Sequence, residues 1–206
     1  METLEQLSAT LALTMGVAWA SGINLYATVL TLGLLATNDA ILLPPELQIV
    51  ADPLVIAAAG LMYAIEFFAD KVPGVDSAWD ALHTFIRIPA GAMLAASAVG
   101  DINPAVELAA AIAGGAMAGG SHFAKAGTRL LVNTSPEPFS NWLASIGEDI
   151  AVVTGVWACL QHPWWFLGAL LVFVLVLVKL FPLLVQAARK IALKLTAMLQ
   201  GRTQQP

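Results

Sequence analysis

Pro163-Trp-Trp-Phe-Leu-Gly-Ala-Leu-Leu-Val-Phe-Val-Leu-Val-Leu-Val-Lys-Leu-Phe181 decides the class of this protein. Up to Lys179 the segment carries no charge, and it opens on the tryptophan pair Trp164 and Trp165. A bilayer core needs about 20 mostly apolar residues of helix to cross it, and tryptophans concentrate at its edges. The whole chain agrees: 59% of its 206 residues are hydrophobic and only 11% are charged, against roughly 25% charged in a soluble domain. The mean hydropathy is +0.80.

Working outward, five more segments read as spans: Leu7–Thr37, Pro53–Phe68, a short Phe85–Gly100, Pro104–Val132 and Phe139–Leu160. Phe85–Gly100 is also short enough for a re-entrant segment, which is tolerated where protein surrounds it. The N-terminus contains Ala18-Trp19-Ala20 before Ser21, which resembles a cleavage site. Glu2 and Glu5 occupy the place of a basic leader start, however, so we expect a retained first helix. The expected fold is an all-α, six-span bundle over 1–181, followed by a basic amphipathic tail over 182–206. In that tail Leu184, Ala187, Ala188, Ile191, Leu195 and Met198 oppose Arg189, Lys190 and Lys194. It suits an anionic leaflet or the packed end of span six equally.

Orientation follows from the nine basic residues, Lys71, Arg87, Lys125, Arg129, Lys179, Arg189, Lys190, Lys194 and Arg202. With six spans all fall at or near one side, which the positive-inside rule makes cytoplasmic, together with both termini. Segments 7–100 and 104–181 can be set against each other as inverted repeats, pairing Gly16 with Gly114 and Gly22 with Gly120 and, by a different offset, Glu66 with Glu148.

The costly residues point to function. A carboxylate at mid-bilayer costs roughly 3 kcal/mol. Glu66 and Asp70 close an apolar run, and Glu148 and Asp149 interrupt another. His122, Lys125 and Arg129 share one helical face, and Asn24 lies beside Gly22 in span one. We expect Asn24, Glu66, His122, Lys125, Glu148 and Asp149 to converge as a pathway for an ion or polar solute. Asp70, Lys71, Arg87 and Arg129 would form its cytoplasmic rim, with Asp70 in water. The same residues also suit structural ion pairs that hold spans together.

Between spans two and three, Val75, Trp79, Leu82 and Phe85 make an apolar stripe, and Asp76, Asp80, His83 and Arg87 a polar one. This reads as a short interfacial helix with its polar face in water, in which Ser77 and Asp80 fit a capping box. Asp76, Asp80 and His83 also offer carboxylate and imidazole ligands for a divalent metal. Asn133-Thr-Ser-Pro-Glu-Pro-Phe-Ser-Asn141 reads as a rigid cytoplasmic turn. Gly114, Gly115, Gly119, Gly120 and Gly127 read as close helix packing.

The net charge of −5 argues against nucleic acid. Cys159 stands alone, so there is no intrachain disulfide or Cys-rich metal site, and no cofactor is required by the sequence. The bilayer and a small ion or polar solute are the expected partners, with homo-oligomerisation left open.

Ser21-Gly-Ile-Asn-Leu-Tyr26, Glu66-Phe-Phe-Ala-Asp-Lys-Val-Pro-Gly-Val-Asp76, His83-Thr-Phe-Ile-Arg87, Lys125-Ala-Gly-Thr-Arg129 and Val132 to Asn141 resemble the bacterial family named domain of unknown function 4126. The resemblance covers roughly Gly16 to Pro163, apart from Ile88 where a Pro-Pro pair is expected. It implies an integral inner-membrane protein of unassigned function and supplies no catalytic residues. Glu66-Phe-Phe-Ala-Asp70-Lys71 is also similar to the Glu-x-Gly-Asp-Lys motif of cation/proton exchangers, with one more residue between the acids. That likeness is an analogy.

The sequence therefore favours a transporter or channel for a small ion, a cation or proton-coupled, or for a polar solute. The alternatives are a membrane enzyme acting on lipid headgroups through Asp76, Asp80 and His83, and a scaffold or assembly factor.

Overall fold

The structure is a computed structural model that describes residues 2–72, 74–133 and 139–202, with the side chains of Glu2, Leu184 and 187–202 set aside. The described residues are all-α, with no strands. The helices are α1 (Glu2–Thr37), α2 (Pro53–Ala69), α3 (Val75–Val99), α4 (Pro104–Val132), α5 (Phe139–Gln161) and α6 (Pro163–Arg202), with a 3-10 segment at Pro45–Ala51. Asp-Pro and Asn-Pro pairs start two of them. The Asp52 side chain accepts from the Leu54 amide and Asn103 from the Ala105 amide, each at 2.8 Å, with Pro53 and Pro104 in the first turn. Proline suits that position because its missing N–H would have no helical partner there.

The chain divides into two compact units, residues 1–168 and 169–206. In the first, α1 is central and packs against α2, α3, α4 and α5, while α3 and α4 form the most extensive helix pair. Gly114 makes that approach close: a methyl there would collide with the Ala95 side chain. Small residues let helix backbones meet where lipid gives no hydrophobic drive for association. The second unit is the remainder of α6, which runs on through Pro182 as one helix instead of restarting as a separate tail. The amphipathic pattern proposed for Leu184, Ala187–Lys190, Ile191, Lys194, Leu195 and Met198 lies outside the described side chains.

Among the described residues four helices are long and apolar enough to cross a membrane: α1, α3, α5 and Pro163–Leu183 of α6. The 3-10 segment with α2, bent by 61°, makes a fifth candidate. Six were expected. The shortfall is α4, which has 29 residues but is rich in Gly and Ala between Glu107 and His122, and so is long without being strongly apolar.

The connector departs most from expectation. No separate interfacial helix precedes span three. Val75–Val99 is one helix with Pro89 inside it. Its two faces are also reversed relative to a helix on a wet surface. Asp76, Asp80, His83 and Arg87 are buried, whereas Val75, Leu82 and Phe85 are exposed, Phe85 by 83%. Apolar outside and polar inside is the arrangement that lipid as solvent dictates. The expected capping box is absent: Ser77 and Gly74 give their amides to Asp76 Oδ1, at 2.6 and 2.8 Å.

Candidate functional site

Seven charged side chains from four helices form one connected, buried cluster. Acids come from the end of α2 (Glu66, Asp70), from α3 (Asp80) and from α5 (Glu148). Bases come from α3 (Arg87) and α4 (Lys125, Arg129). Arg87 donates to Glu66 Oε1 at 2.5 Å and to Asp80 Oδ1 at 2.9 Å. The Lys125 ammonium donates to Glu66 Oε1 (3.1 Å) and Asp70 Oδ2 (3.0 Å), and lies 3.6 Å from both Asp80 and Glu148. Arg129 grips Glu148 with two parallel bonds, 3.2 and 2.6 Å, and also holds Asp70 and Asn141. Arginine's fixed fork suits such bidentate pairing. Except for Glu148, at 16%, no side chain of the seven is more than 4% exposed.

His122 joins the cluster as a neutral ring. Its Nδ1 lies 3.1 Å from Arg87 Nη1. A guanidinium has donors only, so Nδ1 must accept. Nε2 then carries the proton and donates to Thr84 Oγ1 at 2.7 Å, and Thr84 donates in turn to the Asp80 carbonyl at 3.0 Å.

A second group adjoins it. Asn24 has extended dihedrals (φ −146°, ψ 99°) inside α1 and breaks that helix. Its Oδ1 caps the restarted half by accepting from the Ala27 amide at 2.9 Å, while its Nδ2 donates to Asp149 at 3.1 Å. Tyr63 donates to the other Asp149 oxygen at 3.2 Å. Gly22 permits the close approach of α1 to α4 here, since a methyl on it would overlap Ser121 and the Ala118 carbonyl.

The structure thus links Glu66, His122, Lys125 and Glu148 through shared partners, and sets Asn24 and Asp149 in the adjoining group. Asp70, Arg87 and Arg129, expected at the rim with Asp70 in water, lie inside the cluster; charges this close to counter-charges can leave water together. Lys71 stays at the edge. It donates to the Phe67 carbonyl at 2.9 Å and covers that ring, and partial burial lowers its pKa.

Asp76, Asp80 and His83 do not come together as a ligand set. Asp76 accepts from Asn133 Nδ2 at 2.9 and 3.0 Å, which ties the start of α3 to the end of α4. Asp80 faces Arg87. His83 stacks on Trp79, with ring centroids 4.3 Å apart, and bonds Tyr26 and the Trp79 carbonyl. Among the described residues no three His, Cys, Asp or Glu side chains are arranged to hold a metal.

Sequence reasoning missed Tyr63, Thr84 and Asn141. Tyr63 had a signal, because it precedes Glu66 by three residues and shares its face. Thr84 had one too, since it lies between Asp80 and Arg87 on the same face of α3, although its bond to His122 is 38 positions away; Asn141 had none, since its partner Arg129 lies on another helix.

A helical membrane-protein bundle with an ionic cluster sealed among its helices is the class that this geometry defines. Within that class, residues 11–182 match the family model described as Domain of unknown function (DUF4126), and the chain belongs to that family. No curated protein and no solved structure matches it.

Proposed function

We propose that this chain is a six-span protein of the bacterial inner membrane, with both termini cytoplasmic, that moves a small ion or polar solute through the α2–α5 interior. Movement of a cation or coupling to protons is favoured. Glu66, Glu148 and Asp149 would bind the ion or carry protons, beside Lys125, neutral His122 and the Asn24 break. α4 then counts as a span whose charges are covered by its neighbours, and α1–α3 and α4–α6 as inverted halves.

One observation carries this reading: four carboxylates and three cations share one buried cluster. Moving each charge out of water costs several kcal/mol, and well-packed apolar residues often match or exceed the stability of a buried ion pair. Stability alone therefore gives no reason to hold seven charges there, or to leave them unbalanced. Intramembrane ionisable groups mark pathways and relays more often than they serve as glue.

The competing reading is a helix lock. It is favoured by the way each cation bridges carboxylates from different helices. The headgroup-enzyme reading loses weight because Asp76, Asp80 and His83 are tied to separate partners. The test is pH-coupled ion flux in vesicles reconstituted with the pure protein. Glu148→Gln should abolish it while the protein stays folded. Unchanged flux would remove Glu148 from the pathway, and absence of flux in the unaltered protein would leave the lock.

A further inference from the structure

A cavity of about 220 Å³ lies between α3 and α4, lined by Ser77, Asp80, Thr84, His122, Phe123 and Ala126 among others. It abuts the ionic cluster at its least satisfied member. Asp70 and Glu66 each lie within 3.2 Å of two cations, and Glu148 holds Arg129 in a bidentate grip. Asp80 has one cation at 2.9 Å, and the next is 3.6 Å away, both on the same oxygen. Its other oxygen, Oδ2, is buried without a hydrogen-bond partner on a side chain only 2% exposed; Glu66 Oε2 and Asp70 Oδ1 are also buried and unbonded, but of these three acids it is Asp80 that lines the cavity. A buried acceptor of this kind requires an explanation.

We infer that this cavity binds a small monovalent cation that donates hydrogen bonds, an ammonium ion or a short primary alkylammonium, with its N–H directed at Asp80 Oδ2. Three features select that chemistry. The adjoining cluster has one more carboxylate than cations, so a single positive charge balances it. The polar lining offers acceptors, with Ser77 Oγ and Thr84 Oγ1 beside Asp80, and includes no Lys or Arg. The remaining wall is the neutral His122 ring, whose N–H is already given to Thr84, and carbon, with the Phe123 ring able to face a cation. An alkali ion stripped of water needs a shell of oxygens, which three side chains and a carbon wall do not supply. An organic ammonium needs few acceptors and gains from the carbon.

The inference deepens the transport reading by naming its substrate class, and rests on that reading only for movement, not for binding. It is tested on the full chain in detergent by thermal unfolding at fixed pH and equal ionic strength, with methylammonium, tetramethylammonium or potassium chloride. Methylammonium should raise the midpoint by about 3–6 °C over the other two near ten times its Kd. The difference should vanish in Asp80→Asn and in Ala126→Leu, which fills the cavity and leaves every carboxylate in place. Should Asp80→Asn fail to fold, Ala126→Leu decides alone. An equal response to the three salts, or a difference that survives Ala126→Leu, overturns the site. Methylammonium binding without flux in vesicles would overturn transport and uphold the site. Ion flux without a methylammonium-specific shift would uphold transport and overturn the site.

Discussion

Arg87 of α3 and Glu66 of α2 meet at 2.5 Å with neither side chain exposed to any degree. α2 and α3 otherwise touch sparingly, so this pair is a principal tie between them. It is also where the cluster is driest. Removing Arg87 leaves Glu66 with Lys125 alone and Asp80 with no cation nearer than 3.6 Å, and breaking buried pairs in this way costs about 3–5 kcal/mol. Arg87→Leu should therefore lower unfolding stability by about that amount. The double change Glu66→Gln with Arg87→Gln should cost less than the sum of the singles. Additive losses in that cycle would show that the two residues do not act as a pair.

Asn24 serves two helices at once, capping the second half of α1 and donating to Asp149 on α5. Asn24→Ala should cost about 1 kcal/mol from the lost cap, with a further loss at Asp149. Asn24→Asp keeps an oxygen for the cap but removes the donor and sets like charges together. It should be the worse of the two in unfolding measurements. The opposite order would mean that the bond to Asp149 contributes nothing.

The same glycine-to-alanine change should have opposite consequences at two sites. At Gly114 an added methyl meets the Ala95 side chain, and the Gly91 carbonyl is 3.1 Å away. α3 and α4 must then part, at about 1–3 kcal/mol. At Gly147 an added methyl meets nothing within 4 Å, so Gly147→Ala should be neutral or slightly stabilising. Equal midpoints for the two variants would contradict the close α3–α4 contact.

Topology can be read with single cysteines because native Cys159 is 1% exposed and should stay silent. Under the six-span reading, Leu42→Cys and Ile102→Cys should react with an impermeant maleimide on intact spheroplasts. Val72→Cys should react only after permeabilisation. All three positions are at least half exposed. Labelling of Leu42→Cys and Val72→Cys from one side would show that α2 does not cross. Labelling of Val72→Cys and Ile102→Cys from one side would show the same for α3.

Helix existence was readable along the chain because apolar length and Pro-started turns are local signals. The segments drawn at Pro53, Pro104, Phe139 and Pro163 start where α2, α4, α5 and α6 start. The connector was misread for a reason of solvent. Its two stripes were visible, but which stripe faces inward depends on whether water or lipid surrounds it. Burial of Asp76, Asp80 and Arg87 follows from the counter-charges and donors waiting on α2 and α4. Pro182 reads as a boundary in the sequence, yet, like Pro89 in span three, it lies within a continuous helix, as membrane helices tolerate.

By itself the sequence determined the class, a helical membrane protein, because composition and apolar run length are properties of the chain alone. It also fixed which residues are expensive: Glu66, Lys125, Glu148 and their neighbours. Only the tertiary structure decided what those residues face. Coulomb attraction and hydrogen bonding act over a few ångströms between groups up to 125 positions apart, as Asn24 and Asp149 are, and no periodicity along the chain encodes that meeting.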